Sequence, residues 1–134
     1  MGEIHKSAAM FFKDNTFLMV RKKGKTFWTS LGGRIEKGET QEEALLREIK
    51  EEVNCDAKII SKMGDFKDKA IFDDAMLKLS LFHVELIGTP EIIDNELEEF
   101  TFIDKNFKEK GIKLTDVIIN EVIPYCIKNN YLKW

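Results

Sequence analysis

The stretch Gly33-Arg34-Ile35-Glu36-Lys37-Gly38-Glu39, followed after seven residues by Arg47-Glu48-Ile49-Lys50-Glu51-Glu52-Val53-Asn54-Cys55, decides the fold and most of the chemistry of this chain. Just before the second half, Thr40-Gln41-Glu42-Glu43 has the pattern of a capping box, with Thr at N-cap and Glu at N3. A helix is therefore expected from Gln41 to Val53, with Ala44, Leu45, Ile49 and Val53 as its inward stripe. Glu48, Glu51 and Glu52 are spaced i, i+3, i+4, so a helix gathers them on one face. Three carboxylates on one face repel one another, and a cation relieves that repulsion. A few hard oxygen ligands suit Mg²⁺, with Mn²⁺ as the alternative; Mg²⁺ keeps waters and bridges to substrate phosphates.

At these residues the chain resembles the Nudix hydrolases, whose box reads Gly, five residues, Glu, seven residues, Arg-Glu-apolar-any-Glu-Glu-any-Gly-apolar. Gly33, Glu39, Arg47, Glu48, Ile49, Glu51, Glu52 and Cys55 match it, and Asn54 alone departs, standing where the family has Gly. The box covers about a sixth of the chain. A helix ending at Val53 wants a residue that tolerates the left-handed conformation, and Asn is the usual substitute for Gly there. The departure is therefore expected to keep the cap. The resemblance implies an α/β chain with the Nudix fold, a mixed β-sheet sandwiched between α-helices, with the box as a loop-helix-loop unit. It also implies a single domain over residues 1–134.

What the resemblance implies about chemistry is metal-dependent hydrolysis of a diphosphate linkage in a nucleoside diphosphate joined to another group. By position, Glu48 and Glu52 are the first metal ligands, Glu51 the next, and the Gly32 backbone carbonyl a further candidate. Arg47 and Glu39 belong to the catalytic set as orienting groups, since one guanidinium can pin two carboxylates. The competing reading of Arg47 is a surface pair with Glu51. The base is either Glu48 or an acid of the loop Asp94-Asn95-Glu96-Leu97-Glu98-Glu99, with Glu96 the first choice in that loop. Trp28, Phe27 and Arg34 are candidates for contact with substrate. Trp28 as core and Trp28 as a stacking partner for a base remain alternatives.

Around the box, Ala8 to Lys13 and Thr16 to Lys22 read as strands of a hairpin closed by Asp14-Asn15. Phe27-Trp28 leads into a tight bend at Gly32-Gly33. Ala57 to Met63, Ala75 to Leu86 and Phe100 to Ile103 read as strands, the second by its long alternation. Asp104 to Lys110 reads as a helical turn, and Asp116 to Lys128 as an amphipathic helix that Pro124 should kink. His5 and His83 stand alone, and Cys55 and Cys126 read as two reduced core thiols.

The composition excludes other classes. With 43% apolar and 34% charged residues the chain is ordinary for a soluble globular protein, and a net charge of −3 with no basic patch argues against a nucleic-acid polymer as partner. No apolar run is long enough for a bilayer and no leader is visible, so the expected partner is a small-molecule nucleotide and the expected place the cytoplasm; a homodimer stays open. ADP-ribose enzymes of the family tend to carry a proline about fifteen residues past the box, where this chain has Lys69-Ala70-Ile71-Phe72. Diadenosine polyphosphate enzymes tend to carry a tyrosine slightly further on, where it has Phe72 and Asp73-Asp74. Elimination leaves a nucleoside triphosphate, intact or damaged, as the expected substrate. The alternatives are ADP-ribose or another nucleotide sugar, a nucleotide-binding domain without turnover, and an isomerase of isoprenoid diphosphates, for which the histidines are too few.

Overall fold

Asp14 and Asn15, the pair between two apolar runs, both take left-handed φ (50° and 61°). Two such residues in a row make the turn whose twist matches a hairpin. They join β2 (Phe12–Lys13) to β3 (Thr16–Lys22), with Lys13 opposite Thr16. This computed structural model describes residues 2–69 and 75–134, and the side chains of 68 and 69 are not described. The positions Ala70, Ile71, Phe72, Asp73 and Asp74 lie outside the described residues.

Two sheets form. In the first, β1 (Glu3–Met10) pairs antiparallel with β5 (Leu31–Arg34) and parallel with β7 (Met76–Ile87), which pairs antiparallel with β6 (Asp56–Lys69). In the second, β3 pairs with β2, with β4 (Phe27–Thr29) and with β8 (Leu97–Ile103), and β4 pairs parallel with β9 (Lys113–Leu114). Period-2 alternation sends side chains to both faces, and both faces are buried. Ala9, Leu18, Val20, Phe82 and Val84 pack with Leu45, Ile49 and Val53 of helix α1 (Gln41–Val53). Ala8, Met10, Phe17, Met19 and Leu81 pack with Val117, Ile118, Val122, Ile123 and Cys126 at the other helical layer. This is the expected mixed arrangement between helices. Each fully buried Leu or Ile of α1 contributes about 2 kcal/mol by area.

Helix α1 runs over the expected residues and carries both expected ends. Thr40 Oγ1 accepts from the Glu43 N–H at 3.0 Å, and Glu43 Oε1 accepts from the Thr40 N–H at 2.9 Å. Asn54 closes the helix at φ 56°, ψ 36°, donating its N–H to the Lys50 carbonyl. Asn54→Gly is therefore expected to be neutral or slightly stabilising. Asn54→Val should cost on the order of 1 kcal/mol or more, because a β-branched residue resists that conformation. Thermal melting of the two variants checks this, and equal melting temperatures would refute it.

Several elements differ from expectation. Gly32-Gly33 is not a bend but part of β5, paired with Ala8 and Ser7 of β1. Gly32 takes φ +131°, an extended course open to glycine, which lets the strand continue where a turn was expected. β8 begins at Leu97, three residues before Phe100, and β6 runs on to Lys69. The C-terminal irregularity is a π-helical turn (Ile118–Val122) leading into α2 (Ile123–Lys128). Pro124 has no N–H to offer Asn120 and its ring crowds that carbonyl, so the turn widens and Ile123 donates to Ile118 instead. Cys55 and Cys126 are free and buried, and burial pushes the Cys126 thiol up to about 12. Among the described residues no helix is long and apolar enough to cross a membrane.

Candidate active site

The glycine strand and helix α1 meet edge to face, and their contact builds one wall of a cavity of about 390 Å³. Glu52, on the inward side of the last helical turn, is 7% exposed. Its Oε1 accepts the Gly32 backbone N–H at 2.8 Å. Burial is the main reason its carboxyl is pushed up to about 8; the Gly32 N–H and the Lys22 charge oppose this, and the charges of Glu48 and Asp94 reinforce it. Glu48, one turn earlier, lies against Gly33, where an added Cβ would fall 2.5 Å from the Glu48 carboxyl carbon. Burial also raises the Glu48 carboxyl, against the pull of Arg47.

Arg47 ties the loop to the helix. Its Nε and Nη2 grip both oxygens of Glu39, at 2.7 and 3.0 Å. Its Nη1 donates to Glu48 Oε1 at 2.9 Å and reaches Glu51 at 3.3 Å, and Nη2 also donates to the Arg34 carbonyl at 3.2 Å. The hydrogen bond to Glu39, then that to Glu48, holds the guanidinium more firmly protonated than usual. The Glu39 carboxyl is correspondingly lowered, first by Arg47 and then by the Glu36 N–H at 2.9 Å. The orienting contacts and the i, i+4 pair with Glu51 thus coexist.

A third acid comes from the loop before β8. Glu91 and Ile93 donate their N–H groups to the carbonyls of Val53 and Glu52, at 2.9 and 3.2 Å. These are carbonyls that the end of a helix leaves without a helical partner. The tie delivers Asp94 into the cavity, half-buried, with Oδ1 accepting the Glu96 N–H at 2.8 Å. Glu96 lines the cavity as well but is exposed, and its carbonyl accepts the Lys23 N–H.

Of the residues singled out in the sequence, Glu48, Glu52, Gly32, Arg34 and Glu96 line the cavity. Glu51 does not: its side chain is 55% exposed and paired with Arg47. Residues 48 and 52 form one i, i+4 row, and 47 and 51 the next row, so a shared helical face splits where the sheet covers only one row. Glu39 and Arg47 stand behind the wall. Trp28 is 8% exposed, packed in the core, with the Arg21 guanidinium 5.6 Å from its ring. Phe27 is half-buried on β4 opposite Lys113. Neither lines the cavity. The sequence reading passed over Asp94 as a separate candidate, along with Lys6, Lys22 and Thr115, which also line it. Only the Asx turn Asp94 makes to Glu96 could have separated it from its neighbours.

The donor set fits a hard divalent cation. Glu48, Glu52 and Asp94 offer oxygen ligands alone, and a buried carboxylate held toward its neutral form gains most from a nearby cation. Among the described residues no three acidic, His or Cys side chains converge closely enough to hold an ion in this arrangement. The carboxylates instead answer to Arg47 and to the Gly32 N–H.

A NUDIX domain family model matches residues 3–108. An ADP-ribose pyrophosphatase of Methanocaldococcus jannaschii is 32% identical over 97 residues, 70% of this chain and 57% of that protein. A Bacillus subtilis protein named for 8-oxo-dGTP diphosphatase activity is 37% identical over 60 residues, 45% of this chain and 40% of that protein. The matched stretch thus spans about half the length of these two relatives. The MutT protein of Methanosarcina mazei Go1 superposes with a TM-score of 0.78 at 17% identity, covering 96% of each chain.

Proposed function

The chain belongs to the Nudix hydrolase family, and from that premise we propose that it hydrolyses the diphosphate linkage of a nucleoside diphosphate joined to another group, most simply a nucleoside triphosphate. The observation that supports this reading is the cavity whose lining Glu48, Glu52 and Asp94 share with the glycine strand. Nudix hydrolases generally use divalent metals, and Mg²⁺ or Mn²⁺ held by these carboxylates, with the Gly32 carbonyl as a further candidate, would neutralise phosphate charge and acidify an attacking water.

The chain's own groups then have separate tasks. The Gly32 N–H aims Glu52 into the cavity, and Arg47 aims Glu48. Glu48, whose burial raises its proton affinity, is the first choice to take the proton from the water that attacks phosphorus. Asp94 displaces Glu96 as the first choice among the loop acids, because it is the one whose charge acts on both Glu48 and Glu52. Lys22 lines the same cavity and is placed to meet phosphate oxygens. Glu51 serves through Arg47, outside the cavity.

A second reading, ADP-ribose as substrate, rests on the name of the Methanocaldococcus jannaschii relative. A panel of nucleoside triphosphates, 8-oxo-dGTP, ADP-ribose and a nucleotide sugar separates the two. Inorganic pyrophosphate with a nucleoside monophosphate is expected under the first, AMP with ribose 5-phosphate under the second. Activity is expected to vanish in EDTA and return with Mg²⁺ or Mn²⁺. Full turnover in EDTA, or none on the whole panel with metal, would overturn the proposal.

A further inference from the structure

Ser7 is fully buried in β1 and forms part of the cavity wall, between Gly33 of β5 on one side and Ser80 of β7 on the other. Its hydroxyl donates to the backbone carbonyl of Gln41, the first residue of α1, at 2.8 Å. That carbonyl already has a helical partner in the N–H four residues on. The Ser7 bond is therefore an added tie between strand and helix. The backbone of the same residue sets the glycine strand: an added Cβ on Gly32 would fall 2.0 Å from the Ser7 carbonyl oxygen. One residue thus holds the N-terminal end of α1 through its side chain and, through its backbone, the strand whose N–H grips Glu52 near the other end. The two holds are about 16 Å apart along the helix axis. Two holds that far apart fix both its axial position and its rotation.

A second polar line ends at the same residue. The Gln41 side-chain oxygen accepts from Lys62 Nζ at 2.9 Å, and Lys62 pairs with Asp65 at 3.1 Å. Asp65 Oδ1 accepts the Ser80 hydroxyl at 2.7 Å. Ser80 has one proton to give, so in its 2.7 Å contact with His5 the ring Nε2 must be the donor. Ser80 is as buried as Ser7. Buried hydroxyls cost stability unless bonded, and both of these are bonded along lines that end on the first turn of α1.

We propose that Ser7 is a positioning residue for the reaction, setting helix α1 against the glycine strand so that Glu48 and Glu52 present at the right depth in the cavity. This rests on the reading of the cavity as the reaction site. Ser7 is closed off from solvent, with its hydroxyl already given to Gln41, and it acts through Gln41 and Gly32. Removing its hydroxyl lets the first turn of α1 drift, and small displacements of catalytic groups cost rate far more than they cost binding.

The test compares Ser7→Ala and Ser7→Cys with wild type. For Ser7→Ala, kcat should fall about tenfold, KM should hold within twofold, and Tm should fall by only a few degrees. Ser7→Cys keeps the size with a weaker donor and should lie between; it also answers if Ser7→Ala does not fold. The second readout is the Gly32 backbone amide resonance in the metal-free protein, which reports the bond to Glu52 and should shift in both variants. Unchanged kcat with an unchanged Gly32 amide overturns the proposal. So does a large fall in Tm with kcat of the folded fraction unchanged, which is what a merely structural serine would show. If wild type turns over nothing on the panel, the functional reading fails, and the Gly32 amide still decides: a shift upholds the positioning and no shift ends it.

Discussion

Glu52→Gln is expected to abolish most turnover while making the metal-free protein more stable. The amide keeps the shape and can still accept the Gly32 N–H, but it removes the charge that a divalent cation needs. A loss on the order of a thousandfold in kcat follows, about 4 kcal/mol of barrier. The stability effect has a definite sign. The ordinary carboxyl value is 4.5 and the folded one about 8, so the folded state keeps a proton that the unfolded chain releases. The stability contributed by that proton is fully present below about 4.5 and is lost as pH rises through about 8. In EDTA, Glu52→Gln should therefore melt close to wild type at pH 4.5 and above it at pH 8.5. The gap is a few kcal/mol, on the order of 10 °C. Glu42→Gln, exposed in the first turn of the same helix and outside the cavity, should do little to either measure. A gap that is absent at pH 8.5, or that widens toward acid, would show that Glu52 is not a buried acid held toward its neutral form.

The glycine pair should split into two phenotypes. Gly32→Ala places a methyl 2.0 Å from the Ser7 carbonyl oxygen and 2.9 Å from the Ala8 Cα, at φ +131°. Both obstacles are backbone, so β1 and β5 must separate, and a loss of several kcal/mol is expected. The atoms nearest to a Gly33→Ala methyl are those of the Glu48 carboxyl group, the end of a side chain that can rotate away. The fold should then survive with a melting temperature near wild type, while kcat falls at least tenfold as Glu48 is displaced. Calorimetry and single-substrate kinetics on the two variants decide it. Two variants with the same profile would mean that the glycines serve one role and not two.

What was legible in the sequence is what local chemistry writes. The capping box at Thr40 and Glu43, the left-handed Asn54 and the Asp14-Asn15 turn all depend on neighbours within a few residues, and all three are found as read. The Pro124 irregularity was legible for the same reason, though its form as a π turn was not. The glycine strand was not legible, because nothing near Gly32 announces that Ser7 and Ala8 will pair with it from β1. The same limit explains Glu51. A helical repeat groups 48, 51 and 52 together, and only the sheet packed beneath decides that 52 is enclosed while 51 faces solvent. Asp94 is a harder case. Its placement follows from main-chain bonds of Glu91 and Ile93 to the end of α1, which no side-chain pattern records. Trp28 stood between two readings, and its contact with Arg21 and the core places it away from the cavity lining.

Those two main-chain bonds give Asp94 the helix's frame of reference. An acid on an ordinary surface loop can swing out when like charges crowd it. This one is bracketed to the same backbone turn that bears Glu52, with Glu48 one turn behind, so the three carboxyl groups are carried on one connected stretch of backbone. Their crowding adds to the burial that already makes Glu52 reluctant to give up its proton. The resting protein therefore keeps its enclosed carboxyl, with two acids beside it, as an affinity for positive charge, answered by a proton when nothing larger is present.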